Sequence, residues 1–248
     1  MLVFLRDRAS DRKLRLFCCA CCRRLWHLLD PLARKVVEAF EQEIDGSAKW
    51  SAVVSEAELW EYTRRQCQPG TASHVAIMVN AAHAGAAWAA AWNVVGEARR
   101  VVGLASPGDT YEEARAQAAI LRDVFGSPLR PAHAVVPPVL AWGGAIAVTL
   151  ARAAYEDRPP DGTLDTALLG VLADALEDAG CIDTELLGHL RGPGPHMRGC
   201  WAVDLLLGRD YAVAQTCSCI LPPATLVDER ELRSRLNHPQ RPCVEGAP

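Results

Sequence analysis

Between Arg65 and Glu97 the chain carries no Asp, Glu, Lys or Arg, a run of 31 residues without a formal charge. So long an uncharged run has to leave water, into a protein core or into a bilayer, and the other segments must pack around that choice. Its middle, HVAIMVNAAHAGAAWAAAWNVVG, is long enough to cross a membrane as a helix. Asn80, His83 and Asn93 stand against a span, because polar groups inside one are costly, and alanine is only weakly apolar. The sequence therefore predicts a buried central helix over 72–102, with Met78, Ala81, Gly85, Trp88, Trp92 and Val95 along one seam. Small residues there let neighbouring helices approach closely, and the two tryptophans fill what the alanines leave open.

Elsewhere the apolar spacing is helical. Leu14, Phe17, Cys18, Cys21, Leu25 and Leu28 recur at intervals of three and four over 11–29, behind Ser10 as N-cap. Asp30 and Pro31 stop that helix and open another over 31–44. Ser55 and Glu58 make a capping box for a helix over 55–67, and Glu112 and Glu113 suit the first turn of one over 110–125. Further helices are predicted over 139–155 with a soft point at Gly143 and Gly144, and over 164–179, 183–190 and 198–207.

Half the residues are hydrophobic, only 6% are aromatic, and no strand pattern occurs. The fold class is thus all-α, a compact bundle or stack of about seven to nine helices. Four prolines between 126 and 138 predict an extended connection. It divides an N-terminal alanine-rich helical part, 1–125, from a C-terminal helical part, 139–210. Proline clusters dissolve the pattern after that, which predicts a loosely ordered or disordered tail over 211–248.

Ten cysteines demand an account. Cys18, Cys19, Cys21 and Cys22 crowd one helix ahead of Arg23 and Arg24; Cys67, Cys181, Cys200, Cys217, Cys219 and Cys243 are scattered. Charges break any apolar core in MLVFLRDRASDRKLRLF, so it does not read as a secretory signal. That predicts a cytoplasmic, reducing setting, where thiols stay free or bind metal. Adjacent helical cysteines also make poor disulfides. Core packing is the preferred reading of Cys18 and Cys21. The alternatives are a metal pair on one helix face, Cys19 or Cys18 with Cys22, and a redox thiol activated by the arginines.

Two blocks, FLRDRASDRKLRLFCCACCRRLWHLL (4–29) and LADALEDAGCIDTELLGHLRGPGPHMRGCWAVDLLLGRD (172–210), together resemble an uncharacterised family of paralogous proteins in planctomycete bacteria. Residues 30–160 match it only in alanine-rich character and in LRDVFGSPLRP at 121–131. Segment ADALEDAG is loosely similar to the ADWLEE motif of short companion modules in the same bacteria. The resemblance implies that both blocks are structural units, that Met1 is an internal start and that the tail is a divergent end. It transfers no catalytic residue.

The sharpest chemical constellation is Cys181, His189, His196 and Cys200, spaced C-x7-H-x6-H-x3-C. These are zinc-type ligands, and a glycine-proline turn between the histidines can fold them towards one point. The plainer alternative is a helix-ending cysteine, an exposed histidine and a core cysteine under Trp201. Arg191, His196 and Arg198 flank the same RGPGPHMRG turn ahead of a helix, an arrangement suited to an anion or an acidic partner. Its alternative is a rigid turn with solvated charges. The turn is not a P-loop, because the Gly-Lys-Ser/Thr ending is absent.

Asp174, Glu177 and Asp178 share a helix face and read as an acidic surface. Asn80 and His83 read as core residues with satisfied hydrogen bonds. Arg6, Arg8, Arg12, Lys13, Arg15, Arg23 and Arg24 form the one basic stretch, against a net charge of −4. The expected function is a non-catalytic cytoplasmic module that binds another protein. One rival is a zinc protein, hydrolase or redox sensor, on the Cys181/His189/His196/Cys200 set. The other is a weak nucleic-acid binder using the N-terminal cations.

Overall fold

The computed structural model describes residues 2–6, 8–47, 49–55, 58, 74–75, 77–79, 82, 85–106, 109–126, 137–159 and 161–209. Among them the protein is all-α, without strands, and one isolated antiparallel bridge joins Thr163 to Met197. The helices are α1 (Leu2–Leu5), α2 (Asp11–Arg24), α3 (Pro31–Ile44), α4 (Ala87–Ala105), α5 (Thr110–Phe125), α6 (Pro137–Glu156), α7 (Thr166–Asp178), α8 (Thr184–Leu190) and α9 (Trp201–Leu206). Met1–Ala214 form one compact unit; the second unit, Gln215–Pro248, lies outside the described residues, and with it the expected tail.

Side-chain caps set the starts of four of these helices. Ser10 accepts the Lys13 N–H at 3.2 Å, and Asp30 accepts that of Ala33 at 2.9 Å with Pro31 in the first turn. Asp165 and Asp183 cap α7 and α8 in the same way. Ser55 and Glu58 make the reciprocal capping-box bonds, at 2.9 and 3.3 Å, although most of the expected 55–67 helix lies outside the described residues.

α2 is buried almost all round and packs on α3, α4 and α5. Leu14, Leu16, Phe17 and all four of its cysteines are no more than 3% exposed. Small thiols on α2 meet small residues on α4, where Ala87, Ala90, Ala91, Val94, Ala98 and Val101 face inward.

Two expectations for this region need correction. The chain does not run as one helix over 72–102: Gly85 takes a φ of +68°, Ala86 is extended, and α4 starts at Ala87. Arg15 of α2 closes that break by donating to the Gly85 carbonyl at 2.9 Å. The inward seam of α4 is also rotated from the expected one. Trp92 is 53% exposed and stacks on Trp88, because alanines, not indoles, fit the close approach to α2. Among the described residues no helix is long and apolar enough to cross a membrane.

A second apolar cluster gathers Val139, Ala147, Tyr155, Leu164, Leu169, Leu172, Leu176, Leu186, Leu190, Cys200, Val203 and Leu206. α6 breaks where the paired glycines predicted, with Gly143, Gly144 and Ala145 all left-handed. The first cluster draws on residues before the proline-rich 126–138 segment and on Met197 from the loop after α8, the second on residues after that segment; 127–136 are outside the described residues.

Charges line the seam between these clusters, beside apolar contacts such as Met197 on the first cluster. Arg12 of α2 reaches Asp45 at 3.0 Å and Asp204 of α9 at 2.8 Å. Lys13 reaches Asp204 at 2.6 Å, and Arg198 donates to Asp45 at 2.6 Å. Arg23 and Arg158 share Glu41 of α3, at 2.8 and 3.4 Å. The Tyr155 hydroxyl donates to Asp45 at 2.8 Å, while Arg198 and Arg209 lie over its ring. Burial alone would raise the Asp45 pKa, but Arg198, Tyr155 and Arg12 outweigh it and hold the carboxyl below its ordinary range.

Removing one partner from such a network strands the others in a poorly solvated place. Asp45→Ala is expected to cost about 3–5 kcal/mol in urea unfolding. The sign of its pH dependence follows from the depressed pKa. The stability Asp45 contributes is complete above the unfolded value of about 3.9 and is lost as pH falls through the lower folded one. The variant should therefore lose less stability than the native protein on acidification. A cost under about 1 kcal/mol, the range of surface pairs, would mean that the seam does not hold the clusters together.

Candidate metal centre

Four side chains from separate parts of the chain converge beside the seam. Asp123 stands in the last turn of α5, His189 in the last turn of α8, His196 in the loop after it, and Cys200 caps α9. Their ligand-type atoms all lie within 4.8 Å of one another, and they form a group that could hold a metal ion. Asp123, His196 and Cys200 are buried, and His189 is half-buried.

The contacts show which lone pairs converge. Asp123 Oδ1 is 3.2 Å from His189 Nε2 and 3.1 Å from His196 Nδ1. Cys200 Sγ is 3.2 Å from the same His189 Nε2. The outer atoms are engaged elsewhere. Asp123 Oδ2 accepts the Met197 N–H at 2.7 Å, leaving Oδ1 as the inward atom. His196 Nε2 is 3.1 Å from the Gly192 carbonyl, to which it can only donate. In a neutral imidazole that bond leaves Nδ1 as a bare acceptor facing the Asp123 carboxylate. Two acceptors face each other stably only if His196 is protonated or if a cation lies between them.

Burial opposes charge on Asp123, His196 and Cys200. It would raise the Asp123 pKa, but hydrogen bonds from His189, His196 and the Met197 N–H outweigh it and keep the carboxyl low. For His196, burial pulls the pKa down and the Asp123 carboxylate more than restores it. Burial pushes the Cys200 thiol well up, and the Asp123 charge adds to the effect. Without a cation beside it, this thiol stays protonated and unreactive.

The packing holds the histidines in place. The rings of His189 and His196 meet edge to face at 4.8 Å, and Trp201 lies against His189 at 5.1 Å. Trp201 reaches that position because α5 ends on Gly126, where a Cβ would come within 3.2 Å of the indole.

The structure brings together His189, His196 and Cys200, and it does not bring Cys181 to them. Cys181 is half-buried against the second apolar cluster and binds the Leu176 carbonyl through its backbone N–H at 2.9 Å. Asp123 takes the fourth place, unsingled among the acidic residues of the sequence. Its one signal was an Asp in the last turn of a helix, where the dipole disfavours a negative charge.

The three residues proposed for anions each meet a carboxylate of the chain itself. Arg191 pairs with Asp174 at 2.7 Å and with Glu177, Arg198 pairs with Asp45, and His196 with Asp123. Asp174 and Glu177 thereby serve as an exposed pair for Arg191. Of the basic stretch, Arg12, Lys13, Arg23 and Arg24 bind carboxylates, and Arg15 binds backbone carbonyls. Burial raises the thiol pKa of all four α2 cysteines, and among the described residues none belongs to a group of candidate ligands. Asn80, His83, Cys67, Cys217, Cys219 and Cys243 lie outside the described residues.

A scan against protein-family models finds no match, and searches of curated proteins and of solved structures return none.

The thiols should differ in reactivity. Alkylation of the native protein followed by peptide mapping is expected to label Cys181 and to spare Cys18, Cys19, Cys21 and Cys22 until denaturant is added. Prompt labelling of the α2 peptide would contradict the buried, high-pKa account.

Proposed function

We propose that this chain is a structural zinc protein, in which Asp123, His189, His196 and Cys200 hold one ion that locks α8 and α9 against α5. The observation that carries the reading is the convergence of four donor atoms within 4.8 Å, two of them aimed at one imidazole nitrogen. On a tetrahedral zinc at 2.0–2.1 Å, neighbouring N and O ligands lie about 3.3 Å apart. The two histidine–aspartate separations, 3.2 and 3.1 Å, are close to that value. Mixed nitrogen, sulfur and oxygen donors suit zinc, and four protein ligands leave a closed, structural site.

The same contacts argue against a cysteine hydrolase. Such a triad needs the thiol and the carboxylate on opposite nitrogens of the histidine. Here both address Nε2, and Cys200 is fully buried.

The body held in this way serves as a cytoplasmic module that binds another protein without catalysis. Supporting that second part is an aromatic surface on α1 and α4. Val3, Phe4 and Trp92 are exposed, Trp92 stacks on Trp88, and Arg6 lies over the Trp88 ring. Clustered exposed aromatics with arginine are the usual composition of a contact surface.

Elemental analysis of the purified, untagged chain is the test. About one zinc per chain is expected, lost in Cys200→Ser and retained in Cys181→Ser. A chelator should lower the melting temperature of the native protein and leave Cys200→Ser unchanged. Metal-free native protein, purified without chelator and refusing added zinc, would sink the reading.

A further inference from the structure

Lys13 lies in α2, a buried helix, and is itself only 8% exposed. An ammonium has three N–H donors, and this one has three acceptors. It bonds the Val124 carbonyl at 3.0 Å, the Gly199 carbonyl at 2.7 Å and the Asp204 carboxylate at 2.6 Å. Each acceptor adjoins a member of the candidate metal centre. Val124 follows Asp123, and Gly199 precedes Cys200. Asp204 donates its backbone N–H to the Cys200 carbonyl at 2.9 Å.

The two carbonyls lie 111 and 186 residues along the chain from Lys13, in different elements. One ammonium thus ties the end of α5 to the start of α9. A second tie works beside it: Arg198, between His196 and Cys200, is held by Asp45 just beyond α3. An apolar side chain could fill the same volume without desolvating a charge. What it could not do is fix two backbone segments at one separation.

We propose that Lys13 is a positioning residue of the metal centre. It touches no ligand atom, but it holds the peptides bearing Asp123 and Cys200 at the separation at which their donors share one ion. The inference rests on the metal-binding reading above, and it makes the ionic seam the outer shell of that centre. Groups that orient metal ligands from behind commonly contribute about 10–100-fold in affinity.

The test uses the full chain in three forms: native, Lys13→Met, and Lys13→Met/Asp204→Asn. Lys13→Met leaves Asp204 to Arg12 alone. The double variant removes one cation and one carboxylate together, and the amide oxygen that replaces the carboxylate still accepts from Arg12, so the charge balance of the seam is kept. Zn2+ affinity is read by competition with a chelator, site geometry by the absorption of the Co2+-loaded protein, and folding by melting of the metal-free forms. Both variants are expected to bind Zn2+ about 10–100-fold more weakly and to shift the Co2+ bands. The double variant should melt, metal-free, near the native temperature, which a purely structural loss would not allow together with the spectral shift. Native protein that takes up neither ion overturns the metal reading and this inference with it. Native binding, matched in affinity and spectrum by the double variant, overturns the role of Lys13 alone.

Discussion

A charge withdrawn from water costs several kcal/mol unless another charge or several donors meet it. This protein withdraws many at one place. Arg12, Lys13 and Arg23 of α2, with Glu41 and Asp45 of the following helix and its cap, face Tyr155 of α6, Asp204 of α9 and, from the connecting segments, Arg158, Arg198 and Arg209. The apolar clusters on either side are non-directional and tolerate many arrangements. The seam does not, because a shift of one helix turn would leave guanidinium and carboxylate groups buried and alone. The relative placement of the two clusters therefore depends on it.

The candidate metal centre inherits its order from that seam. Its members come from α5, α8, the following loop and the start of α9, and no single helix could present all four. Each inward atom is matched by an outward one already engaged: Asp123 Oδ2 with the Met197 N–H, His196 Nε2 with the Gly192 carbonyl. Such outer bonds fix tautomer and ring direction before any ion arrives. Lys13 and Arg198 stand one layer further out and connect the same loop to α2 and to Asp45.

The cysteines, the most conspicuous feature of the chain, divide by environment rather than by spacing. Those of α2 serve as small apolar groups, which is what a helix enclosed by α3, α4 and α5 requires. Cys200 has the same burial, yet it sits among two imidazoles and a carboxylate. Cys181, of the same type and in the expected spacing, faces an apolar cluster instead.

Much of the helical framework was legible in the residues. Ser10, Asp30 and Asp183 are short-range caps, Gly143 and Gly144 mark the break in α6, and Thr110–Phe125 stands where its periodicity put it. These follow from interactions within a few residues, so neighbouring sequence suffices. His189, His196 and Cys200 were legible for the same reason, lying within one short segment around a turn. The break at Gly85, the outward turn of Trp92 and the entry of Asp123 in place of Cys181 were not. Each depends on a partner far along the chain: Arg15 on the Gly85 carbonyl, the close approach of α4 to α2, and the imidazoles that reach back across 66 and 73 residues to Asp123. Local chemistry determined which segments are helices and which residue types could bind an ion. Only the tertiary structure decided which donors meet, because that is set by long-range packing and by the buried charges that permit one arrangement of it.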